Sequence, residues 1–219
     1  MIEFVRLPLK SAGGRPLVHK YARHPDAAEG LGILLPGQYY GVDGPLLYFL
    51  GDLLSRGGWD TLALTYGFQM TMEAVSAVVM AATLEECQEA VRTVLRERDY
   101  RRIVLVGKSI GTGVVAHLCL EEPLCAKARA VHFTPTLEVP LFDPLFARTS
   151  QPALLAMGTA DPFYSSQALD RLREQRPFEL TLIEGADHSL MIPGDLDASL
   201  EALRRVLREA EAFILAQSV

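Results

Sequence analysis

The sequence predicts an α/β fold: a doubly wound, mostly parallel sheet of eight strands with helices on both faces and no large cap domain. Three observations lead to it. Short apolar runs such as Ile103-Val104-Leu105-Val106 alternate with longer amphipathic stretches, the pattern of buried parallel strands covered by helices. The 219 residues are 49% apolar and 22% charged, enough for one ordinary core, so a single domain over 1–219 is expected and disorder is excluded. No internal repeat, low-complexity tract or interdomain linker interrupts the alternation.

Taken in order, Ile2–Leu7 and Pro16–Tyr21 read as two strands joined by a turn at Gly13-Gly14, an antiparallel hairpin at a sheet edge. Gly32–Leu35 is the first buried strand and ends at Pro36-Gly37. A helix over Pro45–Ser55 follows, opened by proline and stopped by Gly57-Gly58. Thr61–Thr65 is the next strand, Leu84–Arg98 a helix, and Ile103–Val106 a fully apolar strand with a helix starting just after Ser109. Strands at Ala130–Phe133, Ala153–Met157 and Leu180–Ile183 complete the sheet, with a helix at Gln167–Glu174 between the last two. The closing helix spans Leu196–Leu215, and its Leu196, Leu200, Leu203, Leu207 and Ile214 form the stripe expected to pack on the sheet.

Composition narrows the function classes. With 27 acidic against 21 basic side chains the formal charge is −6, which argues against a nucleic-acid partner. The longest nearly apolar stretch, Ala74–Ala82, is too short to span a bilayer, so no membrane partner is expected. Glu3 and Arg6 break any basic-then-apolar leader, and the three cysteines, Cys87, Cys119 and Cys125, are odd in number and lack metal-ligand spacing. A cytoplasmic protein without metal or cofactor is the expectation, and homo-oligomerisation stays open.

The chemistry concentrates at Gly107-Lys108-Ser109-Ile110-Gly111, between the strand Ile103–Val106 and a helix. Glycines two residues to either side let the chain turn sharply and hold the Ser109 hydroxyl at the tip, where it can act as a nucleophile. Two nucleotide-binding patterns overlap these residues and fail. A phosphate-binding loop needs glycine five positions before Gly107, where Arg102 stands, and Gly111-Thr112-Gly113 lies inside the helix rather than in the turn.

A serine needs a base. His19 and His24 lie in the hairpin region, His117 in the helix after the serine and His132 within a strand. His188, in Gly185-Ala186-Asp187-His188, leaves the C-terminal end of the last strand, the edge where the loops of a parallel sheet converge. Asp161 follows the Ala153–Met157 strand at the same edge and is the carboxylate expected to orient the imidazole, with Asp143 as substitute. Asp187 is adjacent in the chain to His188 and poorly placed to contact it. For the oxyanion, the backbone N–H of Ile110 is one donor, and that of Gln38, in Leu35-Pro36-Gly37-Gln38-Tyr39, is the second.

With Gly107-Lys108-Ser109-Ile110-Gly111, Gly158-Thr159-Ala160-Asp161 and Gly185-Ala186-Asp187-His188 in the order serine, aspartate, histidine, the chain resembles the α/β-hydrolase superfamily over essentially its whole length. It is most similar to the small lidless esterases and dienelactone-hydrolase-like members. That resemblance implies Ser109 as nucleophile, His188 as base and Asp161 as its orienter. Two features depart from the pattern: Pro36-Gly37 stands where many relatives carry His-Gly, and the nucleophile is serine where dienelactone hydrolases proper use cysteine.

The reading that follows is a serine hydrolase cleaving small carboxylic esters through an acyl-enzyme. Thioester or amide cleavage on the same triad, and a non-catalytic binding protein of the same fold, are the alternatives. The segment after Tyr66 is expected to border the site, with Tyr39, Met70, Met72 and Val79 as candidate substrate-pocket residues.

Overall fold

The computed structural model describes residues 2–137, 139 and 143–216. Eight strands form one sheet: β1 (Glu3–Val5), β2 (Lys20–Arg23), β3 (Leu31–Leu35), β4 (Asp60–Ala63), β5 (Ile103–Lys108), β6 (Arg129–Phe133), β7 (Ala153–Gly158) and β8 (Glu179–Ile183). Their order is β1-β2-β4-β3-β5-β6-β7-β8, with β3 to β8 parallel and β1 and β2 antiparallel at one edge, as the sequence predicts.

The helices are α1 (Pro45–Arg56), α2 (Gly67–Thr71), α3 (Ala77–Glu97), α4 (Ile110–Glu121), α5 (Asp143–Arg148), α6 (Ser166–Gln175) and α7 (Leu196–Leu215). Successive strand residues alternate between two apolar layers. Leu105 joins the core beneath α3, α4 and α6, while Val104 and Val106 join the core beneath α1 and α7. The sheet is therefore apolar on both faces, which is why its central strands are uninterrupted runs of valine, leucine and isoleucine.

Several boundaries differ from expectation, each for a local reason. The edge hairpin does turn at Ser11–Gly14, with Lys10 bridging Pro16, but the second strand lies at Lys20–Arg23 and not at Pro16–Tyr21. Pro8 and Pro16 have no N–H to donate, so the ladder is broken near the turn and resumes only at Val5 opposite Tyr21. Helix α3 begins seven residues before Leu84, because the Ser76 hydroxyl accepts from the Val79 N–H and caps it there. The short α2 and α5 carried too little periodicity to be read from sequence.

The packed face of α7 includes the expected Leu203, Leu207 and Ile214 but is corrected at the helix start. Leu196 and Leu200 are exposed, whereas Ser199, Ala202, Val206, Leu207, Ala210, Phe213 and Ile214 are buried. Small residues at Ser199, Ala202 and Ala210 let this helix lie close against α1 and the sheet, and the leucines at its N-terminal end fall outside that contact. No helix among the described residues is long and apolar enough to cross a membrane.

What the fold contributes to function is the reversal of strand order at β3. From β3 the chain goes to β4 on one side, and later returns to β5 on the other. The loops leaving β3 and β5 therefore open a crevice at the carboxyl edge of the sheet. Leu35 and Gly107 are paired in register, so the two loops start side by side.

Candidate active site

Ser109 stands at the junction of β5 and α4 with φ 55° and ψ −123°, a conformation costly for a residue with a side chain. The turn is held by the Ser109 N–H donating to the Phe133 carbonyl at 3.0 Å, and by the Thr112 hydroxyl donating to the Ser109 carbonyl at 2.6 Å. The flanking glycines are sterically required. A Cβ on Gly107 would stand 2.6 Å from the Gly111 carbonyl oxygen, and one on Gly111 would stand 2.4 Å from that of Leu35. Among the described residues, the other non-glycine positions with positive φ are Met72, Thr134 and Leu190, in the loops that follow α2, β6 and the His188 turn. Backbone strain is thus gathered at one edge of the sheet.

The structure brings together the three side chains singled out from sequence. His188 Nε2 is 2.9 Å from Ser109 Oγ, and His188 Nδ1 is 2.8 Å from Asp161 Oδ2. The other Asp161 oxygen accepts from the Phe163 N–H at 2.8 Å, so both oxygens of this buried carboxylate are engaged. The Phe163 ring lies 5.1 Å from the imidazole, centroid to centroid.

The loops carrying Asp161 and His188 are laced to each other. The Ala160 N–H donates to the Ala186 carbonyl, and the Gly185 N–H donates to the Thr159 hydroxyl at 2.8 Å. They approach so closely that a Cβ on Gly158 would lie 2.0 Å from the Ala186 carbonyl oxygen. Asp187 holds the turn that presents His188, its Oδ1 accepting from the Ser189 and Met191 N–H groups at 2.8 and 3.1 Å. The remaining histidines lie elsewhere. His19 Nδ1 accepts from the Thr65 N–H, and burial lowers its pKa to about 4; burial likewise holds His132 neutral, at about 3. The side chain of Asp143, the substitute carboxylate, lies outside the described residues.

The loop after β3 abuts the nucleophile. A Cβ on Gly37 would be 3.2 Å from Ser109 Cβ and 3.3 Å from the Lys108 carbonyl oxygen. Among the described residues neither the Gln38 nor the Ile110 N–H has a hydrogen-bond partner. A cavity of about 300 Å³ opens beside this loop, lined by Gln38, Tyr39, Phe68, Gln69, Met72 and Glu73. Of the four candidate pocket residues, Tyr39 and Met72 line it. Val79 instead lines a separate cavity with Ser11 and Thr83, and Met70 is in neither lining.

Two features escaped the sequence reading. Lys108, directly before Ser109, is only 1% exposed, and its ammonium lies 5.2 Å from the centroid of the Tyr40 ring. Burial lowers its pKa from 10.5 to about 8, against the opposing pull of Asp161 and Asp187. The second is Gln69, whose side chain reaches the loop after β3 from α2. Its one sequence signal is the spacing of Gln69 three residues after Tyr66 at a helix start, where such a side chain turns back to the backbone.

Comparison with known proteins agrees with the fold. A family model for the alpha/beta hydrolase domain matches residues 53–215. No curated protein matches the chain. Among solved structures, a dienelactone hydrolase from Anabaena variabilis superposes with a TM-score of 0.71 at 20% identity, covering 97% of this chain and 96% of its own. A serine hydrolase homologue from Coxiella burnetii gives 0.69 at 18% identity, covering 95% and 96%. A lidless α/β serine hydrolase from Xanthomonas campestris gives 0.65 at 16% identity, covering 99% and 97%. At these identities the structural neighbours speak for the fold alone, and it is the family match across most of the chain that makes this protein a member of the alpha/beta hydrolase family.

Proposed function

We propose that the protein is a serine hydrolase that cleaves small carboxylic esters through an acyl-enzyme intermediate. The observation that carries this reading is the unbroken contact from Ser109 Oγ through His188 to Asp161, at 2.9 and 2.8 Å. In this reading His188 Nε2 takes the proton from Ser109 Oγ as the oxygen attacks the ester carbonyl. Asp161 holds Nδ1 as the protonated nitrogen and stabilises the imidazolium that forms. The charge that develops on the carbonyl oxygen is met by the unpartnered N–H groups of Gln38 and Ile110. His188 then returns its proton to the departing alcohol, and water repeats the sequence on the acyl-enzyme, regenerating Ser109 and releasing the acid.

The cavity beside Gln38 has room for a small acyl or alcohol group, and Tyr39 and Met72 on its rim are 86% and 80% exposed. Walls so open cover few methylenes, each worth about 0.8 kcal/mol when fully buried, so short, soluble substrates are favoured. Labelling with a fluorophosphonate, followed by kcat/KM over esters and thioesters of graded acyl length, tests the proposal. Labelling that Ser109→Ala abolishes, with ester turnover falling by about 10⁴-fold or more in that variant, is the expected result. A Ser109→Ala protein retaining a tenth of wild-type turnover would overturn the assignment, and kcat/KM rising steadily toward the longest chains would overturn the short-chain preference.

A further inference from the structure

The loop after β3 is held from one side by α2 and the residue before it. Two successive peptide groups show how. In the first, the Pro36 carbonyl accepts from the Tyr66 hydroxyl at 2.9 Å, and on the opposite side of the same peptide the Gly37 N–H donates to the Tyr40 carbonyl at 2.9 Å. In the second, the Gly37 carbonyl accepts from Gln69 Nε2 at 2.8 Å, and the N–H on its opposite side is that of Gln38, which has no partner among the described residues. A trans peptide is planar, with C=O and N–H pointing in opposite directions, so a group that fixes one fixes the other.

The orientation of the Gln69 amide is itself determined. Its Oε1 accepts from the Tyr66 N–H at 3.1 Å, which leaves Nε2 facing the Gly37 carbonyl, with a longer contact of 3.5 Å to the Gln38 carbonyl. The start of α2 is anchored in turn, the Gly67 N–H donating to Glu86 Oε2 on α3 at 3.0 Å.

We infer that Gln69 is a positioning residue for the oxyanion hole: its side-chain amide locks the Gly37–Gln38 peptide so that the Gln38 N–H is presented to the substrate oxygen at Ser109. The inference rests on the acyl-transfer reading above. Gly37 gives this peptide wide conformational freedom, and Gln69 Nε2 is the donor that holds its carbonyl. Without it, a peptide flip would turn the Gln38 N–H away and leave Ile110 as the lone donor.

The test compares Gln69→Met, which removes the donor, with Gln69→Glu, which keeps the shape and the acceptor for the Tyr66 N–H but sets a carboxylate oxygen against the Gly37 carbonyl. Losing an oxyanion donor outright costs about 10²–10³ in turnover, so loosening one should lower kcat by roughly 10–100-fold, with KM within about twofold. Gln69→Glu should be the worse of the two at neutral pH. Its activity relative to wild type should recover as pH falls and the protonated acid donates in place of the amide. The inhibition constant of a trifluoromethyl ketone, whose hemiketal carries the oxyanion, should weaken in step with kcat/KM. Thermal unfolding, measured in parallel, should change little, since Gln69 is partly exposed on a five-residue helix.

Unchanged kcat in both variants, a rise confined to KM, or Gln69→Glu milder than Gln69→Met at neutral pH would each overturn the inference. Those outcomes would leave the hydrolase reading intact as long as wild type is labelled at Ser109 and turns over esters. Wild type that neither labels nor turns over esters would overturn both.

Discussion

Replacing Lys108 by methionine should stabilise this protein at neutral pH and should do so less and less as the pH rises. The lysine is 1% exposed, and among the described residues its ammonium has no ion pair, only the Tyr40 ring at 5.2 Å and the more distant charges of Asp161 and Asp187. A pKa lowered from 10.5 to about 8 corresponds to about 3 kcal/mol of disfavoured charge, at 1.36 kcal/mol per pKa unit. Methionine gives up the cation–π attraction to Tyr40, worth roughly 1 kcal/mol, while filling much of the volume of the aliphatic stem. The net gain at pH 7 is about 2 kcal/mol, or roughly 4–8 °C in a chain of this size. Between about pH 8 and 10.5 the folded protein holds fewer protons at this site than the unfolded chain, so wild type gains stability through that window. The methionine advantage should therefore shrink from pH 8 upward and be nearly gone above 10.5. Paired thermal or urea unfolding of the two proteins at pH 7 and pH 10 measures it. A variant less stable than wild type at pH 7, or an advantage that is equal at both pH values, would refute the idea that the buried charge is a net cost.

Asp161→Asn should keep the fold while presenting the wrong imidazole tautomer to Ser109, lowering kcat by roughly 10⁴-fold, whereas Asp143→Asn should leave kcat within about twofold; kinetics on both purified variants decide which carboxylate serves. Gly37→Ala puts a methyl group 3.2 Å from Ser109 Cβ and should cost about tenfold in turnover with only a small change in unfolding temperature. Gly111→Ala presses instead on the rigid carbonyls of Leu35 and Pro36, at 2.4 and 2.5 Å, and should lose about 3 kcal/mol of stability, read as a fall in the unfolding midpoint.

The sequence made the sheet and the three side chains at its edge legible for a common reason. Buried parallel strands must be apolar throughout, and a serine, an aspartate and a histidine that each follow such a strand can be placed at one edge before any contact is known. Edge and surface elements obey weaker rules. The second hairpin strand moved because Pro8 and Pro16 interrupt a ladder whose pairing the alternation of apolar residues alone does not fix. In α7 the apolar stripe holds at Leu203, Leu207 and Ile214 but not at Leu196 and Leu200, because close approach selects the small residues Ser199, Ala202 and Ala210, which such a stripe undervalues. Gln69 was hidden for a different reason: its partner is a backbone carbonyl 32 positions away, and nothing in local sequence announces such a pairing.

The geometry of this site depends on where side chains are missing as much as on where they are present. Adjacent parallel strands place their chain ends about 5 Å apart, too far for an oxyanion donor on one loop to serve a nucleophile on the next unless the backbones close in. Glycine permits that at three places. Gly111 nests against the Leu35 and Pro36 carbonyls, Gly37 against Ser109, and Gly158 against Ala186. The first two draw the β3 loop onto the elbow, and the third draws the Asp161 loop onto the His188 loop. Each contact is to a backbone carbonyl or, at Gly37, to the Ser109 Cβ as well, atoms whose positions the backbone fixes. Its length is therefore set by van der Waals radii and not by rotamers, which suits groups whose separations must hold to a few tenths of an ångström. The cavity wall is built the other way, from Tyr39, Met72 and Glu73, exposed side chains of the loops that follow β3 and α2. Substitution there changes the wall without touching the backbone contacts beneath. Gln69 belongs to both arrangements, since it lines the cavity and its Nε2 donates to the Gly37 carbonyl. It is the point at which a change in the substrate wall would be felt by the reacting groups.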